Sequence, residues 1–283
     1  MRWTPGGRSS DLEDRRSEGS GGMQVGGMHL GIGGVVILLI LSVVFHRNFL
    51  ALLGDGGSAS LSSPAGQVDP QQDAREEPEV QFVSFVLDDA QSTWTKVLSD
   101  QGGTYRHAKL VLFRDAIRSG CGSAQSASGP FYCPADEKVY IDLGFYDELR
   151  DRYGASGQFA QAYVLAHEIG HHVQKLIGIE RKVRQAQEEN PGARNQLSVR
   201  LELQADCFAG IWAHSTDQRK LLEAGDVEQA MNAASAVGDD RLQSASSGEI
   251  HPESFTHGTS AQRSQWFQKG FSGGAIDSCN TFQ

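Results

Sequence analysis

The alternation of apolar and polar positions changes character along the chain. Residues 1–28 show no periodicity and are rich in Gly, Ser and charge, so a disordered tail is expected there. Then comes LGIGGVVILLILSVVF, Leu30–Phe45, without a charge, and the apolar run resumes as FLALL after His46, Arg47 and Asn48. With its flanking residues snorkelling, that stretch is long enough to cross a bilayer, and a transmembrane anchor is expected over 29–53. A cleaved signal peptide is the rival reading; the long preceding tail and long apolar core favour a retained anchor. Arg2, Arg8, Arg15 and Arg16 precede the span and only Arg47 follows it closely, which predicts a cytoplasmic N-terminus and an extracytoplasmic remainder. Residues 54–79 are polar, aperiodic and Ser/Gly/Pro-bearing, and read as a flexible linker.

A folded domain is expected from about Val80 to Gln283, over 80–283. Phe82, Phe85, Val86 and Ala90 predict a first helix to about Leu98. Ala108–Phe113 and Lys138–Leu143 read as strands, with a Gly/Ser-rich loop between them, and Phe145–Tyr153 as a short helix. From Gln158 to Leu176 apolar residues recur at helical spacing without proline, and Gly178 closes the element. Further on, Leu197, Leu201, Ala205, Phe208 and Trp212 form another helical stripe. A last helix is expected to start near Thr259. The formal net charge of −10 over 283 residues makes nucleic acid an improbable partner and excludes little else.

The first of these long helices carries AHEIGHHVQ. Residues four apart share a face, so His167 and His171 point the same way, while His172 is turned by roughly a further 100°. The pattern is H-E-x-x-H, which suits one metal ion held by two imidazoles, with Glu168 placed to take a proton from a water activated there. The pattern is short, and a third ligand decides the matter. Zinc in hydrolytic sites takes three protein ligands and leaves a position open. A further histidine six residues after the second is excluded, because Gln174 and Ile177 stand where that arrangement needs Gly and His. The alternative is a carboxylate on a later helix, and LELQAD offers Glu202 with Asp206 one turn on. Glu202, the longer, is assigned to zinc; Asp206 is assigned to a ring nitrogen of one of the histidines.

HEIGHH followed by ELQAD resembles the glutamate-type zinc peptidases. The opening MRW…DLEDRR, the stretch CGSAQSASGPFYCPADEKVYIDLGFYDELRDRYGASGQFAQAYVLAHEIGHHVQ and the later LELQADCFAGIWAH are similar to the bacterial predicted neutral zinc metallopeptidases, over nearly the whole chain. The resemblance implies a mainly helical α+β domain of zincin-like (gluzincin) type with a small sheet, preceded by a single transmembrane helix. It implies Zn²⁺ as cofactor and a protein or peptide substrate, with the lipid membrane as a partner through the anchor. It also implies a late-chain donor to the developing oxyanion: His257 is chosen, with Tyr163 and His172 as weaker candidates. His214 reads as structural or exposed. By position the strand Lys138–Leu143 is the candidate for pairing with an extended substrate. A zinc-stabilised, membrane-anchored binding module without proteolytic activity is the alternative function.

The cysteines show no C-x-x-C spacing, so a cysteine zinc site is not expected. An extracytoplasmic domain permits disulfides. Cys121 with Cys133 closes a short loop and is the preferred pair. Cys207 with Cys279 would then tie the C-terminal tail to the Glu202 helix; buried free thiols are the alternative, above all for Cys207.

Overall fold

The structure is a computed structural model and describes residues 1–18 and 70–282. The expected anchor over 29–53 lies outside the described residues; among those described, no helix is long and apolar enough to cross a membrane.

The strands are β1 (Leu12–Asp14), β2 (Lys109–Phe113), β3 (Ala116–Ser119), β4 (Gly122–Gln125), β5 (Phe131–Cys133) and β6 (Lys138–Asp142). The helices are α1 (Pro70–Asp100), α2 (Gly144–Asp151), α3 (Gln158–Leu176), α4 (Ile179–Glu189), α5 (Arg194–Gln218), α6 (Asp226–Ala236), α7 (Asp239–Ser247) and α8 (Ser260–Gly273). This is a mainly helical α+β fold with a small sheet, as expected. The sheet order is β1-β2-β6-β5; β1, β2 and β6 are parallel, and β5 returns antiparallel, with Phe131 opposite Tyr140. β3 and β4 form a separate hairpin.

Two features differ from the sequence reading. Residues 1–18, expected to be disordered, are part of the domain: Leu12 pairs with Leu110, and β1 covers the sheet edge that β2 would otherwise present. The charges that suggested a solvated tail have partners. Arg16 is 3% exposed, 2.7 Å from Asp14 and 2.6 Å from Glu76, while Arg8 meets Glu77 on α1. Accordingly α1 starts at Pro70 and takes in the residues read as the end of the linker and the start of the domain at Val80. The second correction concerns Lys138–Leu143. Its strand, β6, is an inner strand between β2 and β5, and its Lys138–Tyr140 edge is taken by β5, the outer strand on that side.

The core lies between the sheet and the helices, filled by Trp94, Phe159, Tyr163, Phe208, Trp212 and Phe267, all buried. The close approach of helices is set by glycines. A Cβ on Gly170 of α3 would lie 3.0 Å from the Ala205 carbonyl oxygen of α5, tighter than nearly all real contacts. On the other side of α5, a methyl group on Gly270 of α8 would run into the Cys207 carbonyl. The helix bearing His167 and the helix bearing Glu202 are thus in backbone contact, and α8 is drawn against the same helix.

Candidate metal centre

Helix α3 ends where the sequence reading placed it, since Gly178 takes the left-handed conformation (φ 80°) that L side chains avoid. Its face toward α5 carries His167 and His171. Opposite stands Glu202, whose Oε2 is 3.1 Å from His167 Nε2 and whose Oε1 is 3.4 Å from His171 Nε2. A tetrahedral zinc with bonds of ~2.0–2.1 Å has donor–donor edges of about 3.3 Å. Two imidazole nitrogens and a carboxylate oxygen, mutually within 4.8 Å, therefore fit that ion in chemistry and spacing.

The three donors open onto a cavity of about 610 Å³, lined also by Glu168, Tyr163, His257 and Arg263. Apolar side chains, among them Phe145, Val164 and Leu242, complete its walls. Glu168 is 8% exposed, and its carboxylate takes no hydrogen bond among the described residues. It is a carboxylate beside the three donors that is free to act on something in the cavity.

Each donor ring is fixed from behind. His167 Nδ1 donates to Asp206 Oδ1 at 2.8 Å, so Nε2 is the nitrogen turned toward the site and available to a metal that displaces its proton. Asp206 is fully buried and also accepts from the Tyr163 hydroxyl and from Arg263, through Nε at 2.8 Å and Nη2 at 3.0 Å. Burial works against its charge, but Arg263 and His167 outweigh that and hold its carboxyl below the usual range. His171 Nδ1 donates to Gln174 Oε1 at 2.9 Å. Burial disfavours a charged His167, yet the adjacent Asp206 and Glu202 raise its pKa to about 10. Burial likewise raises the Glu202 carboxyl, and the two histidines more than reverse this, leaving it well below its ordinary value. The site is thus an anionic pocket that attracts a cation, proton or metal, between its rings.

His172, only one residue further, is elsewhere. Its Nε2 donates to the Arg106 carbonyl at 2.6 Å and its Nδ1 accepts from the Tyr132 hydroxyl at 2.9 Å, so it is a buried structural ring. Tyr163 has spent its proton on Asp206. Neither remains a candidate oxyanion donor. His257 does face the cavity, half-exposed, with Nδ1 3.1 Å from Asp239 Oδ1. The Asp239 hydrogen bond raises its pKa, against the effect of burial. His251 is exposed beside Glu249 and Glu253, and His214 bonds the Phe271 carbonyl.

Sequence reasoning missed Arg263, Gln174 and Gln204. Gln174 stands three residues after His171, a spacing that puts the two on one helix face and could have been noticed. Both cysteine pairs form disulfides as expected: Cys121–Cys133 and Cys207–Cys279.

A helix pair carrying H-E-x-x-H and E-x-x-x-D brings together a donor set of the kind that a zinc peptidase requires. The family described as "Putative neutral zinc metallopeptidase" matches residues 1–282, and the chain belongs to it. The Escherichia coli (strain K12) protein YpfJ, itself uncharacterized, is 49% identical over 288 residues, covering 100% of this chain and 99% of the relative. The uncharacterized protein Rv2575 of Mycobacterium tuberculosis (strain ATCC 25618 / H37Rv) is 43% identical over 189 residues, 63% of each chain. No solved structure matches.

Proposed function

We propose that the protein is a zinc metallopeptidase in which His167, His171 and Glu202 hold the metal and Glu168 is the general base. The observation that carries this reading is the buried Glu168 carboxylate, without a protein partner among the described residues, beside a donor triad that opens onto a cavity. Zinc, when bound, supplies an acidified water and polarises the peptide carbonyl. Glu168 takes the proton of the attacking water and passes it to the leaving amine. His257, whose charged form the Asp239 hydrogen bond favours, donates to the carbonyl oxygen as negative charge develops on it. Asp206 and Gln174 hold the two rings so that their Nε2 lone pairs face inward. The outer strand β5, with Phe131 and Tyr132 on the cavity wall, offers an extended peptide a place to lie.

Glu168→Gln separates this from a zinc-stabilised binding module. The variant is expected to keep stoichiometric zinc and to lose hydrolysis by ~10²–10⁴. Unchanged turnover would remove Glu168 from the chemistry, and a wild-type protein that binds zinc but cleaves no member of a peptide library would favour the binding module.

The uncharged run Leu30–Phe45 supports a membrane anchor, and the two disulfides support an oxidising compartment for the domain. A single crossing between residues 18 and 70 would part β1 from β2 across the bilayer. We therefore propose that the run attaches the chain to the membrane without crossing it once through, with residues 1–18 on the same, extracytoplasmic side as the domain, in place of the transmembrane anchor and cytoplasmic N-terminus expected from the apolar run and the arginine count. Cysteines introduced at the exposed Ser10 and Ser272 should both react with an impermeant maleimide in intact cells; labelling at Ser272 alone would restore the opposite orientation.

A further inference from the structure

The support behind His171 does not end at Gln174. The Gln174 amide nitrogen donates to the Leu201 carbonyl at 2.7 Å and to Gln204 Oε1 at 3.2 Å. The Gln204 amide nitrogen in turn donates to the Cys279 carbonyl at 2.9 Å. Both glutamines are buried, at 0% and 3% exposure, where an amide facing the wrong way would leave polar atoms unpaired.

The direction of this relay is dictated from its far end. A backbone carbonyl only accepts, so Cys279 requires the nitrogen of Gln204 and turns the Gln204 oxygen toward Gln174. That oxygen, together with the Leu201 carbonyl, requires the nitrogen of Gln174 and turns the Gln174 oxygen toward His171. An amide oxygen there requires a proton on His171 Nδ1, which leaves the Nε2 lone pair for the metal.

Cys279 is the residue that the Cys207–Cys279 disulfide fixes, and Cys207 lies on α5 three residues beyond Gln204. The tail here is a short 3-10 turn, Ile276–Cys279, followed by irregular backbone. Besides the disulfide and the Gln204 bond, Thr281 donates to the Arg200 carbonyl at 2.7 Å. The disulfide is the one covalent element that holds the Cys279 carbonyl over the relay.

We propose that the Cys207–Cys279 disulfide is a positioning element of the metal centre, acting on His171 through the Cys279 carbonyl, Gln204 and Gln174. The inference rests on the reading of His171 as a metal ligand. It gives Gln174 and Gln204 a role as positioning residues and makes metal affinity depend on the oxidation state of a cysteine pair that does not touch the metal.

The test is zinc affinity by chelator competition on the exported full-length protein, together with the visible absorption of the Co²⁺-substituted form, which reports ligand geometry. The variants are Cys207→Ala/Cys279→Ala, Gln204→Leu and the three substitutions combined. Loss of support around a ligand typically weakens affinity ~10–100-fold, and each of the first two is expected to fall in that range with a similar change in the Co²⁺ bands. Because they lie in one relay, the combination should be about as weak as the weaker of the two and not their product. Should the cysteine variant fail to fold, Gln204→Leu keeps the disulfide and carries the test alone. Wild-type affinity in Gln204→Leu, or in a folded cysteine variant, or effects that multiply, would overturn the inference while leaving the metal reading intact. A wild-type protein that takes up no stoichiometric zinc, or a His171→Ala variant that binds it fully, would overturn both.

Discussion

His167 and His171 sit one helical turn apart and face the same carboxylate, yet they are held by unlike means. Behind His167 stands a fully buried carboxylate, Asp206, neutralised by the buried guanidinium of Arg263 and topped by the Tyr163 hydroxyl. Behind His171 stand two neutral amides that end on backbone carbonyls. The charged support is the stronger orienter, because an ionised acceptor makes roughly twice the hydrogen bond of a neutral one. It is also the more brittle. Desolvating each ion costs several kcal/mol, and that cost is offset only while every partner is present. The amide relay is weaker at each link, but losing a link leaves an unpaired dipole and no unpaired charge.

The largest effect should come from the group both rings share. Glu202→Ala removes the third donor and should purify nearly metal-free, as metal analysis will show; full zinc content in that variant would dissolve the comparison, since the two rings would no longer meet at one carboxylate. Next is the charged support itself. Asp206→Ala strands Arg263 in the core and should destabilise the fold by ~3–5 kcal/mol in denaturant titration while metal is retained ~10–100-fold more weakly. Gln174→Leu should cost less, about 1–3 kcal/mol, for the Leu201 carbonyl and Gln204 oxygen it leaves unpaired. Equal losses in the two variants would mean that the charge behind His167 makes no difference.

The charged devices should also answer to pH where the amides do not. Asp239 raises the pKa of His257 above 6.5 through their hydrogen bond, against burial. A raised base keeps its proton past its unfolded pKa, so the contribution of charged His257 is whole below pH 6.5 and is lost as pH climbs through the raised value. Hydrolysis should therefore decline on the alkaline side, and Asp239→Asn should move that decline to lower pH. A profile identical in the two proteins would take His257 out of the reaction.

What the sequence disclosed and withheld follows the same division. H-E-x-x-H and E-x-x-x-D lie at fixed spacing on single helices, so periodicity placed His167 with His171 and Glu202 with Asp206 on one face each, and the need of a zinc site for a third ligand, with the family resemblance, brought the two faces together. The two bounds of α3 were legible because apolar spacing and Gly178 mark them. Arg263 was not legible: it stands 57 residues from Asp206, and nothing near it in the chain distinguishes it from a solvated arginine. The tail failed for a related reason. Arg16 finds Glu76 60 residues away, so composition reported a polar segment where cross-chain pairing makes a strand. Patterns within one element were readable, as were pairings that residue type announces, such as Cys207 with Cys279; ion pairs between distant elements, such as Arg263 with Asp206 and Arg16 with Glu76, were not.

The smallest predicted effect concerns the histidine beside His171. His172 adjoins a candidate ligand in sequence, but the helix turns it away from the cavity, against Tyr105 and Tyr132. Its ring spends both nitrogens on the protein: Nε2 on the Arg106 carbonyl and Nδ1 on the Tyr132 hydroxyl. Tyr132→Phe deletes one hydroxyl from that arrangement and leaves the Nδ1 lone pair without a partner. A single hydrogen bond of this kind contributes about 1 kcal/mol net, and an unpaired buried acceptor about 1–3 kcal/mol at most. The variant should therefore lose about 1 kcal/mol of stability and keep its zinc affinity unchanged, because no link of either support runs through Tyr132. A tenfold loss of zinc with stability intact would show that His172 transmits orientation to His171 along the helix, and the site would then have a third support that the hydrogen bonds do not reveal.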